Sequence, residues 1–391
     1  MILTINAGSS SIKFAVFSAG DSPQPTLSGQ VERIGSPDAQ IVATQAGKSD
    51  REPIDAQTHQ KAAESIADYI HAHLGADAIT AIGHRVVHGG FHLLEHQLIT
   101  PAVIEELRQN QSLDMDHLPI EIALIETFGQ SYPKLPQVAC FDTAFHRDLP
   151  QVSRILPIPR KLTDAGVRRF GFHGLSYTYL MDRLATVAGR ETASGRVILA
   201  HLGAGASMAA VRDGKPVDTT MSFTPIAGLV MATRPGDLDP GLLVYLMRQQ
   251  KMSADDLDKF LSSECGLLGI SQTSGDMRDL LKARATDPRA AEAVDSFCYA
   301  AKKYLAAFTA ALGGLDTLIF AGGIGEHAPE VRAAICDGLD FLGLNVDPSK
   351  NVQDQAIIST DQSRVTIRVI ATDEQLVIAR IVQSIVRISR H

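Results

Sequence analysis

The sequence predicts an α/β protein built from two copies of one unit with a cleft between them. Three observations carry this reading. The chain opens with an apolar strand, a small-residue loop and a second alternating strand, MILTINAGSSSIKF. The same theme returns in RVILAHLGAGASMAAVRDG, where Gly203 stands 195 positions after Gly8 in a chain of 391, a spacing that signals internal duplication. After each opening, strand-like runs are interleaved with helical periodicity.

Composition fits that frame. At roughly 100–200 residues per domain the length suits two domains, and 45% hydrophobic with 20% charged residues describes a globular chain. A net charge of −8 argues against a nucleic-acid surface, although a local arginine cluster is still able to take an anion. Cys140, Cys265, Cys298 and Cys336 form no CxxC pair, so neither structural zinc nor a disulfide framework is expected. No apolar run approaches the ~18 residues of a membrane span and no leader-like segment is visible, so the cytoplasm is expected.

The elements follow in order. LTINAGSS and SIKFAVF read as strand, loop and strand, and TLSGQVERIG as a third strand. HQKAAESIADYIHAHL carries apolar or small residues at three- and four-residue steps and predicts a helix. AITAIGHRVVHGG predicts a strand, PAVIEELRQN a helix with Pro101 in its first turn, and PQVACFDTAFH a strand with a polar end. The second copy pairs its strands through an Asp213-Gly214 hairpin turn. It continues with helices at DPGLLVYLMRQQ and AAEAVDSFCYAAKKYLAAFTAAL and a strand at DTLIFAGGIGEH. The expected domains are 1–146 completed by 376–391, and 147–375. The amphipathic C-terminal helix EQLVIARIVQSIVRISRH returns to cover the opening strand.

Glycine and serine in a loop mark ordinary turns, so the loops gain meaning only by comparison. No GxxxxGK[ST] P-loop occurs, and GAGASM has Met208 where a dinucleotide fingerprint needs its third glycine. The remaining design places the loop at a hairpin tip, where backbone N–H groups and hydroxyls meet phosphate oxygens. Two such tips, one per copy, would grip an ATP phosphate chain. A third glycine-rich segment, IFAGGIGEHAPEVR, suits either a close adenosine or a tight strand–helix turn.

Arg85 in IGHRVVHGG and Arg234 in VMATRPGD have apolar neighbours, so each needs a carboxylate or a bound anion. Asp142 ends its strand at the carboxyl edge, where it either serves a site or caps a turn. His84 and His88 are four apart, but β-branched neighbours favour a strand over a metal-binding helix. His173 and His201, taken singly, read as core or loop histidines. Glu374 reads as a helix start with Thr372 or Asp373 as cap.

Together, INAGSSSIKF, GHRVVHGG, FDTAFH, RFGFHG, HLGAGAS, FTPIAGLVMATRPGDLDP, SGDMRDL, AGGIGEHAPEVR and TDEQLVIAR resemble the acetate kinase family of the actin-like and sugar-kinase superfamily. The segments fall in order from residue 5 to residue 380. The resemblance implies two duplicated actin-like, ribonuclease H-like domains and reversible, Mg2+-dependent phosphoryl transfer between ATP and acetate, with Mn2+ as a substitute metal. It implies a homodimer, and neither nucleic acid nor membrane as partner. It assigns Arg85, Asp142, His173 and Arg234 to catalysis, and Asn6 and Glu374 to the metal. The acid would meet Arg85, Val87, Phe172, Pro225 and the position of Asp116. ATP would meet Ser11, Lys13, His201, Gly203, Ala204 and Gly205, then Asp276, Met277, Arg278, Gly323, Ile324, Gly325 and Glu326. Phosphoryl transfer relies on positioning and electrostatics, and a carboxylate needs no strong base, so direct in-line transfer is expected.

Several positions depart from the family pattern. Ala204 replaces an asparagine, Leu175 and Tyr177 in HGLSY replace threonine and histidine, and DMDHLP places Asp116 where an apolar pocket residue is usual. An inward Asp116 would favour a more polar acid; an outward one would leave acetate binding unaffected. Propionate, butyrate or a more polar short acid is therefore the alternative substrate class. An actin-like nucleotide-binding protein without metabolite transfer is the alternative of another kind.

Overall fold

The computed structural model describes residues 1–8, 10–20, 22–75 and 77–388. Ser9 of the first loop and residues 389–391 of the expected last helix lie outside them. Two compact units divide the chain, Met1–Arg147 with Asp373–His391, and Asp148–Thr372. Asp373, Glu374 and Gln375 thus fall in the first unit, whereas the sequence reading began its returning segment at 376.

In the first unit β1 (Ile2–Ala7), β2 (Ser11–Phe17), β3 (Pro25–Glu32), β4 (Gln40–Gln45) and β5 (Lys48–Pro53) form an antiparallel meander. On the other side of β1 lie β6 (Ala81–Val86), β7 (Gln97–Leu98) and β8 (Gln137–Phe141), in the sheet order β5-β4-β3-β2-β1-β6-β8-β7. The β1–β6 and β6–β8 pairs are parallel. β5 is polar and exposed throughout, as suits an edge that must not pair with another chain. The helix His59–Leu74 starts where Thr58 Oγ1 accepts the Lys61 N–H. Ile66 and Ile70 from it, with Leu124 and Phe128 from the helix Leu118–Ser131, join Leu3, Ile5, Ile12 and Phe14 in one core.

The opposite face of this sheet is covered by the C-terminal helix Glu374–Ile388 through buried Val377, Ile378, Ala379 and Val382. Gly83 of β6 makes that contact possible: a Cβ there would stand 2.5 Å from Cγ2 of both Ile378 and Val382. Of the two cap candidates, Asp373 is the one used, its Oδ1 accepting the Leu376 N–H at 2.9 Å.

The second unit carries β9 (Val197–Leu202), β10 (Ala206–Arg212), β11 (Lys215–Thr219), β12 (Thr317–Ala321) and β13 (Thr366–Val369), ordered β11-β10-β9-β12-β13. Asp213 and Gly214 have φ of +54° and +71° and make the two-residue turn between β10 and β11. The helix Pro288–Leu312 buries Ala293, Phe297, Ala301, Leu305 and Phe308 and lies against β10. Each unit therefore runs an antiparallel meander from one side of its first strand, four further strands in the first unit and two in the second, and pairs parallel strands on the other side, β6 and β8 or β12 and β13. β1 and β9 have 6 residues each and β2 and β10 have 7 each, and β9 and β10 are joined by a loop at residues 203–205. This repeated mixed order is the actin-like, ribonuclease H-like arrangement. Among the described residues, no helix is long and apolar enough to cross a membrane.

Candidate active site

In the first unit the ends of β1, β6 and β8 and the start of the helix Glu374–Ile388 bring four of the expected residues together. Arg85, near the end of β6, donates from Nε to both oxygens of Asp142 at 3.2 and 3.1 Å and from Nη2 to Oδ2 at 2.6 Å. Its Nη1 donates to Asn6 Oδ1 at 3.2 Å, and Asn6 Nδ2 donates in turn to Glu374 Oε2 at 2.7 Å. Asp142 follows β8 directly and is fully buried, whereas the Arg85 side chain keeps 15% exposure. Burial opposes charge on Arg85, but Asp142 and then Glu374 outweigh it and hold the guanidinium above its ordinary value. Burial pushes the Asp142 carboxyl up, and Arg85 draws it back. A guanidinium so anchored has a fixed place and keeps an outward edge.

Val87 lies just beyond and is buried; its N–H is accepted by both oxygens of Glu121, at 3.1 Å each. Sequence reasoning missed Glu121. Burial raises its carboxyl well above the ordinary range, with Arg85 opposing and Asp114 reinforcing. Asp114 was also missed: it is buried and accepts from His117, with Oδ1 2.8 Å from Nδ1. Asp116, two positions on, is exposed.

In the second unit the loop Gly203-Ala204-Gly205 meets two histidines. His173 has a left-handed backbone, φ +57° and ψ 25°, immediately before the helix Gly174–Ala188, an unusual conformation for a residue with a side chain. Its ring stacks on His201 with centroids 4.3 Å apart and planes at 26°. A Cβ on Gly205 would lie 3.4 Å from His173 Nε2, and one on Gly203 would lie 3.9 Å from His201 Nε2. Both Nε2 edges therefore look onto the loop Gly203-Ala204-Gly205. The Ala232 N–H donates to Ala204 O at 3.0 Å, tying the segment that carries Arg234 to this loop. Arg234 Nη1 donates to the Pro225 carbonyl at 3.3 Å. Phe172 and Pro225 are buried.

The third glycine segment follows β12 as the short helix Gly322–His327. Glu326 Oε1 accepts the N–H of Gly322 at 2.8 Å and that of Thr372 at 3.3 Å, so this side chain ties down its own loop. Arg332, fully buried, donates to the carbonyls of Gly325 and Glu326 at 2.9 Å each and to Asp354 at 2.6 Å. Asp276 caps the helix Met277–Ala283 by accepting the Arg278 N–H at 2.8 Å, and its carboxylate pairs with the Arg278 side chain. In the first hairpin, Gly8 N–H donates to Ser11 O at 2.8 Å, while Lys13 is exposed.

A mixed sheet order repeated in two units, glycine-tipped hairpins and an anchored arginine define an ATP-dependent phosphotransferase of the actin-like fold. The acetokinase family matches residues 1–380. The acetate kinase of Rhodopseudomonas palustris is 43% identical over 387 residues, covering 97% of each chain. The crystal structure of Porphyromonas gingivalis acetate kinase superposes with a TM-score of 0.87 at 33% identity, covering 98% of this chain and 99% of that one. A propionate kinase from Francisella tularensis gives 0.92 at 35% identity, again covering 98% and 99%. The chain belongs to the acetokinase family and is a phosphotransferase with a carboxyl group as acceptor, of the acetate kinase type.

Proposed function

We propose that this chain transfers the terminal phosphoryl group of ATP directly to acetate, reversibly and in line. The observation that carries the proposal is the Asp142–Arg85–Asn6–Glu374 chain of hydrogen bonds. It sets a fixed cation beside a carboxylate and an amide at the carboxyl edge of a sheet, where charge on a moving phosphoryl group is best met.

Arg85 and Arg234 hold and neutralise the phosphoryl oxygens, His173 donates a hydrogen bond to them, and Asp142 keeps Arg85 oriented. His201, Ser11, Lys13 and the Gly203-Ala204-Gly205 loop hold the phosphate chain. Asp276, Met277 and Arg278, with Gly323, Ile324, Gly325 and Glu326, line the adenosine. Val87, Phe172 and Pro225 receive the methyl group of acetate. Asn6 and Glu374 would hold Mg2+ through water. One carboxylate with one amide suits a metal that keeps several waters and shares its coordination with phosphates, and when bound it supplies charge neutralisation. Acetate is ionised at neutral pH and attacks without a base.

The helix Pro240–Gln249 buries none of its residues although Leu242, Val244, Tyr245 and Met247 are apolar. This face supports a homodimer as the working form, and we place the enzyme in the cytoplasm. Hydroxamate trapping of acyl phosphate with ATP and Mg2+ across C1–C4 acids tests the assignment. Acetate should give the highest kcat/KM. Product only with a longer or hydroxylated acid would transfer the assignment to that acid, and ATP hydrolysis with no acyl phosphate would refute it.

A further inference from the structure

Of the two positions after His173 read above as departures from the family pattern, Leu175 and Tyr177, the second has a defined hydrogen-bonded place. Tyr177 is fully buried, and its hydroxyl lies 2.5 Å from Ser207 Oγ. The same Ser207 oxygen lies 2.8 Å from His173 Nδ1. One residue earlier on the helix, Ser176 Oγ lies 2.8 Å from His201 Nδ1 and 2.8 Å from Thr372 Oγ1. Consecutive residues of one helix thus engage the Nδ1 side of both stacked rings, directly for His201 and through Ser207 for His173, while the Nε2 edges look onto the Gly203–Gly205 loop.

We propose that Tyr177, acting through Ser207, is a positioning residue that fixes His173 in the tautomer bearing its proton on Nε2. Ser207 has one hydroxyl proton and two neighbours that compete for it. A phenol is the more acidic hydroxyl, and its oxygen is a poor acceptor because a lone pair is delocalised into the ring. Tyr177 therefore donates to Ser207, and the Ser207 proton goes to His173 Nδ1. With Nδ1 accepting, the neutral imidazole carries its N–H on Nε2, the edge facing the phosphate loop. No proton is transferred; the relay selects which nitrogen is the donor. This rests on the reading of His173 as a donor to the phosphoryl group.

The test is imidazole 15N spectroscopy of the full-length protein at pH 8 without nucleotide, with His173 assigned by the signal lost in His173→Gln, combined with acetate kinetics. Wild type should show a protonated Nε2 and an unprotonated Nδ1. Tyr177→Phe keeps the ring in place but removes its donor. Its His173 should move toward the Nδ1–H form, and kcat should fall roughly tenfold, less than the ~10²–10³ expected for deleting such a donor outright. KM for ATP should stay within about twofold. Ser207→Ala cuts the same relay and serves if Tyr177→Phe does not fold. A wild-type His173 protonated on Nδ1 would overturn the proposal, as would a variant that changes only one of the two readouts. The tautomer is read without substrate, so a failure of the acetate assignment is visible separately as absent acyl phosphate in wild type.

Discussion

Arg85 reaches Asp142 with two nitrogens, Nε at 3.1 and 3.2 Å and Nη2 at 2.6 Å, from the next strand of the same sheet. The pair is an orienting device first, because Asp142 is fully buried while the arginine keeps an accessible edge.

Removing the cation should therefore act on turnover. Arg85→Ala and Arg234→Ala are each expected to lower kcat by ~10²–10³, with nucleotide affinity changed much less. Steady-state kinetics with titrated ATP checks this. Near-wild-type kcat in a folded variant removes that arginine from the mechanism.

Asp116 is exposed, so its charge is solvated. Asp116→Leu should leave KM for acetate within about twofold. A clear fall in that KM, or loss of an advantage for a hydroxy acid, would show the carboxylate acting on the bound acid.

Gly83→Ala should destabilise the first unit by about 1–3 kcal/mol, the usual cost of overpacking. The added methyl would meet Ile378 and Val382 at 2.5 Å. Urea unfolding followed by circular dichroism reads the loss, and Val382→Ala in the same chain should recover part of it.

Burial lowers the buried His84 to about 4, although its hydrogen bond to Gln137 opposes the fall. The unfolded state, with the ordinary value near 6.5, then binds more protons between those limits, so stability is full above pH 6.5 and is lost as pH falls toward 4. From pH 7 to pH 5 the loss from this residue should be ~2 kcal/mol. His84→Asn should flatten that dependence in urea titrations at the two pH values. An unchanged slope would mean that His84 does not set it.

Much of the architecture was legible because it rests on local pattern. The two hairpins show alternating residues and small-residue tips in the sequence, and Asp213-Gly214 needs only its own backbone to turn. Asp142 was placed at a strand end by the apolar run before it. What escaped depends on partners far along the chain. Nothing near Glu121 announces that it accepts the Val87 N–H, 34 residues away. Asp114 with His117 looked like ordinary loop polarity. Arg332 sat in a quoted motif, yet its role comes from Asn351 and Asp354, which bind it from 19 and 22 residues away.

The close fit of Glu374–Ile388 over Gly83 also sets an order of assembly. A ribosome delivers β6 long before this helix, so one face of the first sheet stays uncovered until the helix has emerged. The segment 148–372 is continuous and complete by then, and folding by units lets it form first. Glu374 arrives with the helix, so its bond to Asn6 closes only after that helix is made. A chain stalled or cleaved before residue 374 would lack both this cover and that bond, and its exposed apolar sheet would mark it for capture by chaperones or proteases.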